Sequence, residues 1–189
     1  MASGLSACGT PREVAYLEEL GGNYRGGVGK YQRGAVQGTA HWDGGHVQGS
    51  PFVIVDLARQ EALFYKGDTL VGMSPISSGT EGRDTPAGDY KILEKDEDHT
   101  SSLYGAIIEI GTERVVNNDA TPKTPVPPGC KYEPSPMFHF MRLTWTGVGM
   151  HEGYLPGYPA SHGCIRMDKE MAKVFYNHVE KGTPVKVVR

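Results

Sequence analysis

From Phe52 onward the apolar residues of this chain come in short runs of strand type, and a single stretch has helical spacing. Phe52-Val53-Ile54-Val55-Asp56 is a continuous apolar run of the kind buried on both faces. Glu61-Ala62-Leu63-Phe64-Tyr65 follows after a polar turn, so the two predict a hairpin. Leu70 to Ser77, Asp89 to Leu93, Ala106 to Ile110, Met137 to Trp145 and Val148 to His151 predict further strands. Asp168 has the chemistry of an N-cap, and Met171, Val174, Phe175 and His178 share one helical face before Gly182, which is read as the stop. Pro184-Val185-Lys186-Val187-Val188 then predicts a closing strand. The expectation is a mostly β, β-sandwich-like domain with one helix packed against it. Asn117 to Pro136, rich in proline and charge, is read as a long loop bordering a groove.

The chemistry concentrates in Ser161-His162-Gly163-Cys164-Ile165-Arg166-Met167, with a second histidine, His151, thirteen positions before the cysteine. A thiol is a strong nucleophile only as the thiolate, and with an ordinary pKa of about 8.5 it needs a basic neighbour at neutral pH. His162 and His151 are both candidates for that base. Gly163, lacking Cβ, lets the chain turn sharply and brings the N–H groups of Gly163 and Cys164 toward a substrate carbonyl. The competing chemistry is a zinc site built from His139, His151, His162 and Cys164. It lacks the close His-x-x-x-His or Cys-x-x-Cys spacings and would occupy the thiolate, so no metal and no cofactor is expected.

Ser161 to Met167 resembles the active-site signature of bacterial L,D-transpeptidases, the YkuD-type catalytic domain. Thr85-Pro86-Ala87-Gly88-Asp89-Tyr90 resembles the family's Thr-Pro-x-Gly turn. Phe140-Met141-Arg142-Leu143 leading to His151, with Leu155-Pro156-Gly157-Tyr158-Pro159, resembles one bacterial subgroup. The likeness covers Ser50 to Arg189. It implies Cys164 as nucleophile, His151 as general base, and Ser161, His162, Gly163 and Arg166 completing the site, with Ser161, Arg166 and Tyr158 as substrate contacts. Two features depart from the family: the segment between His151 and Cys164 is short, and Glu152 stands where a small residue is usual. The histidine's orienting acceptor is either the Glu152 carboxylate or its backbone carbonyl. The implied substrate is the peptidoglycan stem tetrapeptide, attacked at the bond before its terminal D-alanine, with transfer to an amine that is a second stem or a protein. Water in place of the amine makes the same site an L,D-carboxypeptidase or cross-link hydrolase, and a non-catalytic wall-binding lipoprotein is the remaining alternative. Acylation of Cys164 by carbapenems is a further implication.

A formal net charge of -3 and a pI near 6.2, with no Lys/Arg block, argue against nucleic acid as a partner. Residues 1–49 read as an N-terminal segment and a Gly-rich linker, Gly21 to Gly49, in which Tyr24, Tyr31 and Trp42 are weighed as docking residues and taken as part of an extended tether. Leu5-Ser6-Ala7-Cys8-Gly9 resembles a lipobox. Either it is the remnant of an export signal whose Cys8 carries a lipid anchor, or it is a chance tetrapeptide. The first reading places the protein outside the cytoplasm, in the periplasm or cell envelope. Cys130 is expected to be free, its alternative partner being Cys8.

Overall fold

The computed structural model describes residues 40–189. Cys8, Tyr24 and Tyr31 lie outside them. The elements in chain order are β1 (His41–Trp42), β2 (Pro51–Asp56), β3 (Glu61–Lys66), β4 (Thr69–Ser77), β5 (Gly88–Lys91), β6 (Glu94–Asp96), β7 (Thr100–Glu109), β8 (Val115–Ala120), β9 (Cys130–Pro136), β10 (Phe140–Arg142), β11 (Gly149–Glu152), β12 (Ile165–Met167), α1 (Lys169–His178) and β13 (Pro184–Val188). The mostly β architecture with one helix matches the expectation. The main sheet runs β5-β13-β2-β3-β4-β12-β11-β10-β6, with β1 added to β4, and β8-β7-β9 form a separate three-stranded sheet.

Strand β4 joins the two halves of the main sheet. Its first part pairs with β3 and β1, while Ile76 and Ser77 pair with Met167 and Arg166 of β12. The apolar runs of β2 and β3 are buried on both faces: Val53, Val55 and Phe64 enter the principal core, and Phe52, Ile54 and Tyr65 a second, smaller one. Helix α1 is capped by Asp168, whose Oδ1 accepts from the N–H groups of Glu170 and Met171. The helix buries Met171, Ala172 and Phe175, each larger side chain contributing roughly 1.5–3 kcal/mol. It ends at His178 rather than running to Gly182. Val179 turns extended because its side chain is fully buried, and its carbonyl accepts from Lys95 Nζ at 2.8 Å.

Three other expectations change. Asn117 to Pro136 is not one loop but the end of β8, a connection over 121–129, and β9. Their polar sequences hide the strands because this small sheet is largely exposed and is held by pairing with β7 rather than by an apolar stripe. Met137 to Trp145 is a strand only over Phe140–Arg142, with His139 preceding it in a turn at φ 56°. Finally, the folded domain begins before Ser50. His41 and Trp42 pair with Met73 and Gly72, and the Trp42 ring packs edge-on against Phe64 at 5.2 Å and on His178 at 4.5 Å. Trp42 therefore docks on the domain and is not tether.

Trp42→Ala is expected to lower stability by about 2–3 kcal/mol, less than for a fully enclosed tryptophan because the ring is half-buried. Urea denaturation checks this, and an unchanged midpoint would return Trp42 to the linker.

Candidate active site

Strands β11 and β12 are parallel neighbours, with Met150 opposite Ile165, His151 opposite Arg166 and Glu152 opposite Met167. Side chains alternate across a strand. Met150, Ile165 and Met167 enter the core, which turns His151, Cys164 and Arg166 together onto the other face. There they line a cavity of about 380 Å³ between this face and the β7–β9 sheet.

The turn that delivers Cys164 is tied down at several points. Ala160 and Ser161 donate their N–H groups to Ser78 O, each at 3.0 Å, and Thr80 N–H donates to Ser161 O. Thr85, buried, accepts from Gly79 N–H and donates its hydroxyl to Gly163 O, both at 2.9 Å. That gives the Thr-Pro segment its place in the site. Gly163 has φ 115°, a conformation strained for any side chain. Its N–H donates to Ser161 Oγ at 3.1 Å, and the Ser161 hydroxyl donates to Cys164 O. The expectation that Gly163 N–H faces a substrate carbonyl is thus corrected: the turn itself uses that donor.

His151 is buried, and its Nδ1 lies 2.6 Å from Glu152 O. A carbonyl only accepts, so Nδ1 carries the proton and Nε2 is left bare. The orienting acceptor is the Glu152 backbone. Its carboxylate belongs to the opposite strand face and lies 3.7 Å from His139 Nδ1. Burial pushes the His151 pKa down to about 4, the backbone bond from Nδ1 opposing this. Burial also pushes the Cys164 thiol up, against the pull of the Gly149 N–H and of the Arg166 and Arg142 charges. The thiol donates to Gly147 O at 3.4 Å. Both shifts favour the uncharged forms at neutral pH, a thiol and a neutral imidazole lining one cavity.

His162 also lines the cavity, but its ring is engaged by the small sheet. Its Nε2 is 2.7 Å from Asp119 Oδ1 on β8, and its ring stacks on Tyr104 of β7 at 4.2 Å and 11°. Arg83 donates to both Asp119 oxygens at 3.2 and 3.1 Å. His162 is thus a clasp between the cysteine turn and the small sheet. Arg166 lines the cavity with its stem laid against Gly153, where a Cβ would meet Arg166 Cγ at 2.9 Å. Tyr158 is not brought into the cavity: its carbonyl accepts from Ser77 Oγ and its ring is exposed. Tyr154, from the same loop, lines the mouth instead. The four zinc candidates do not converge, since His139 packs toward Tyr176 while His151 and His162 have the partners above.

The model of the YkuD L,D-transpeptidase catalytic domain matches residues 50–187. This chain belongs to that family. The catalytic domain of the Enterococcus faecium L,D-transpeptidase, solved by NMR, is 32% identical and aligns at a TM-score of 0.53 over 76% of this chain and 100% of its own. The Ldtfm carbamoyl enzyme formed with avibactam is 30% identical, at 0.55, over 74% of this chain and 49% of its own. An L,D-transpeptidase from Mycobacterium smegmatis, 20% identical at 0.57 over 74% and 59%, shares the fold. The chain thus spans about half to three-fifths of the two longer proteins. Comparison with curated proteins found no match.

Within this L,D-transpeptidase domain the sequence motifs mark Cys164, His151 and Thr85, whereas Asp119, Tyr104 and Arg83 carry no local signal. Asp119 and Tyr104 reach the site through the pairing of β7 with β8, and Arg83 from the turn before Thr85. Among the described residues no helix is long and apolar enough to cross a membrane.

Two outcomes are expected. Asp119→Ala should accelerate amide exchange across β7 and β8 with little change in melting temperature, since the ion pair is exposed; unchanged exchange would deny the clasp. The depressed His151 pKa also carries a sign. Below about pH 6.5 the unfolded imidazole binds a proton that the folded one refuses down to about pH 4. Stability should fall as pH drops through that window, by about 3 kcal/mol from this group. His151→Gln should flatten that slope in urea titrations, and an identical slope would contradict the assignment.

Proposed function

We propose that this chain is a cysteine-dependent L,D-transpeptidase acting on peptidoglycan tetrapeptide stems. The observation that carries the reading is the placement of Cys164 and His151 on one face of adjacent parallel strands, in one cavity, with His151 Nδ1 held by Glu152 O. His151 Nε2 is then available to take the thiol proton as Cys164 Sγ attacks the carbonyl of the third stem residue. The Cys164 N–H, at the end of the turn, is the assigned oxyanion donor. His151 returns the proton to the leaving nitrogen of D-alanine, and a thioester remains. An amine of a second stem or of a protein attacks the thioester, His151 accepts its proton, and the thiol is regenerated as the new amide forms. Ser161 and His162 hold the turn and the small sheet in place. The avibactam carbamoyl enzyme of a 30% identical relative supports reaction with an activated carbonyl. The substrate places the enzyme in the cell envelope, with Cys8 as candidate lipid anchor.

Intact-mass spectrometry with avibactam or a carbapenem should show one adduct on the parent and none on Cys164→Ala. Incubation with disaccharide-tetrapeptide should then give cross-linked dimer and free D-alanine, with His151→Gln slower by about 10²–10⁴-fold. D-alanine release without dimer would indicate the carboxypeptidase instead. Absence of both adduct and D-alanine would sink the catalytic reading.

A further inference from the structure

The cavity contains a cation for which the chemistry above has no use. Arg142 on β10 lines it with its side chain 19% exposed. Its Nε donates to Glu94 Oε2 at 2.6 Å, and its guanidinium carbon lies 5.1 Å from the Phe140 ring centroid and 6.0 Å from that of Trp145. These contacts fix the plane of the guanidinium and engage only one of its nitrogens. The two terminal nitrogens have no hydrogen-bond partner among the described residues.

The register puts Arg142 in line with the nucleophile. Arg142 is opposite Gly149, and the pairing of Met150 with Ile165 sets Gly149 beside Cys164. With neighbouring strands about 4.8 Å apart, the Arg142 and Cys164 backbones are roughly 10 Å apart, and both side chains enter the same cavity. Arg166 is the other cation there, but its stem packs on Gly153 and braces that loop. The Glu152 carboxylate faces away toward His139. The space between sulfur and guanidinium therefore ends, away from Cys164, at two donor nitrogens left open by the Glu94 ion pair, and a planar fork of donors is matched to a carboxylate.

We propose that Arg142 is the receptor for the free carboxylate that terminates the acyl donor. The proposal rests on the acyl-transfer reading for the identity of that donor. In a stem ending in D-alanine only a nitrogen and a Cα separate the scissile carbonyl from the terminal carboxylate, so a carbonyl at Cys164 Sγ directs that carboxylate toward Arg142. Amidation removes that charge, and a further residue turns the fourth carboxylate into a peptide bond and carries the charge one residue onward; either leaves the guanidinium facing a neutral group. Arg142 thereby selects stems that end at the fourth residue.

The test is binding, measured by NMR titration on the Cys164→Ala protein, of a stem tetrapeptide ending in D-alanine and of the same peptide with its terminus amidated. The acid should bind about tenfold or more tightly than the amide. Adding Arg142→Gln should erase that ratio, Arg142→Lys should keep part of it, and Arg166→Gln should preserve it. Equal binding of acid and amide, binding of neither, or a ratio that survives Arg142→Gln and disappears with Arg166→Gln would overturn the proposal. If Arg142→Gln does not fold, the acid-to-amide ratio with Arg142 present and its response to Arg166→Gln decide. Because the readout is binding, acid selection through Arg142 without D-alanine release from the parent would sink the transpeptidase reading and leave the receptor standing.

Discussion

The parallel pairing of β11 with β12 is the constraint on which the site depends. Parallel strands cannot be joined by a tight hairpin, so the chain between Glu152 and Ile165 has to loop out and return. That return is held by Ser78, which accepts from Ala160 and Ser161, and by Thr85, which bonds Gly163 O. Ser78 is itself fixed by Gln60, whose side chain accepts from Ser78 N–H at 2.9 Å and donates to Ser78 Oγ at 2.8 Å. The hairpin turn between β2 and β3 thus supports the cysteine turn through one buried side chain. A slip of one residue between β11 and β12 would send Cys164 into the core and Ile165 into the cavity.

Burial then sets the electrostatics. Neither charged form of the Cys164–His151 pair is favoured at rest, because burial disfavours both; the Arg166 charge works against burial at the thiol and with it at the imidazole. Positive charge lowers the thiol pKa and also lowers that of the imidazole. In the proposed mechanism the proton moves when the thiol attacks, rather than being parted beforehand in an ion pair. A neutral resting thiol is also less open to oxidation than a standing thiolate. In the same proposed mechanism His162, within the cysteine turn, is left a positioning role. Its Nε2 is committed to Asp119 and its ring to Tyr104.

Much of the fold was legible because its strongest elements have local causes. The runs in β2 and β3 are apolar throughout, Asp168 caps a helix with a clear buried face, and Gly163 beside Cys164 marks a turn. The small sheet was not legible, since Val115–Ala120 and Cys130–Pro136 present polar sequences whose order comes from pairing with β7. Trp42 was hidden by the glycines around it, which supply no periodicity although they leave room for its ring. At the site, Cys164 and His151 stand in motifs, and so does Arg142, in Phe140-Met141-Arg142-Leu143, although only the register of β10, β11 and β12 turns it toward Cys164; Asp119 stands in none and meets His162 only through the small sheet. Tyr158 was misplaced because its carbonyl, not its ring, is what holds it to Ser77.

The proposed chemistry turns on a neutral, Nδ1-protonated His151 in the same cavity as a neutral Cys164 thiol. Nitrogen-15 NMR of the histidine side chains at pH 6 measures it directly. The expected result is one protonated nitrogen, Nδ1, and a bare Nε2 on His151. Protonation of both nitrogens, the signature of an imidazolium paired with a thiolate, or a proton on Nε2 alone, would contradict it.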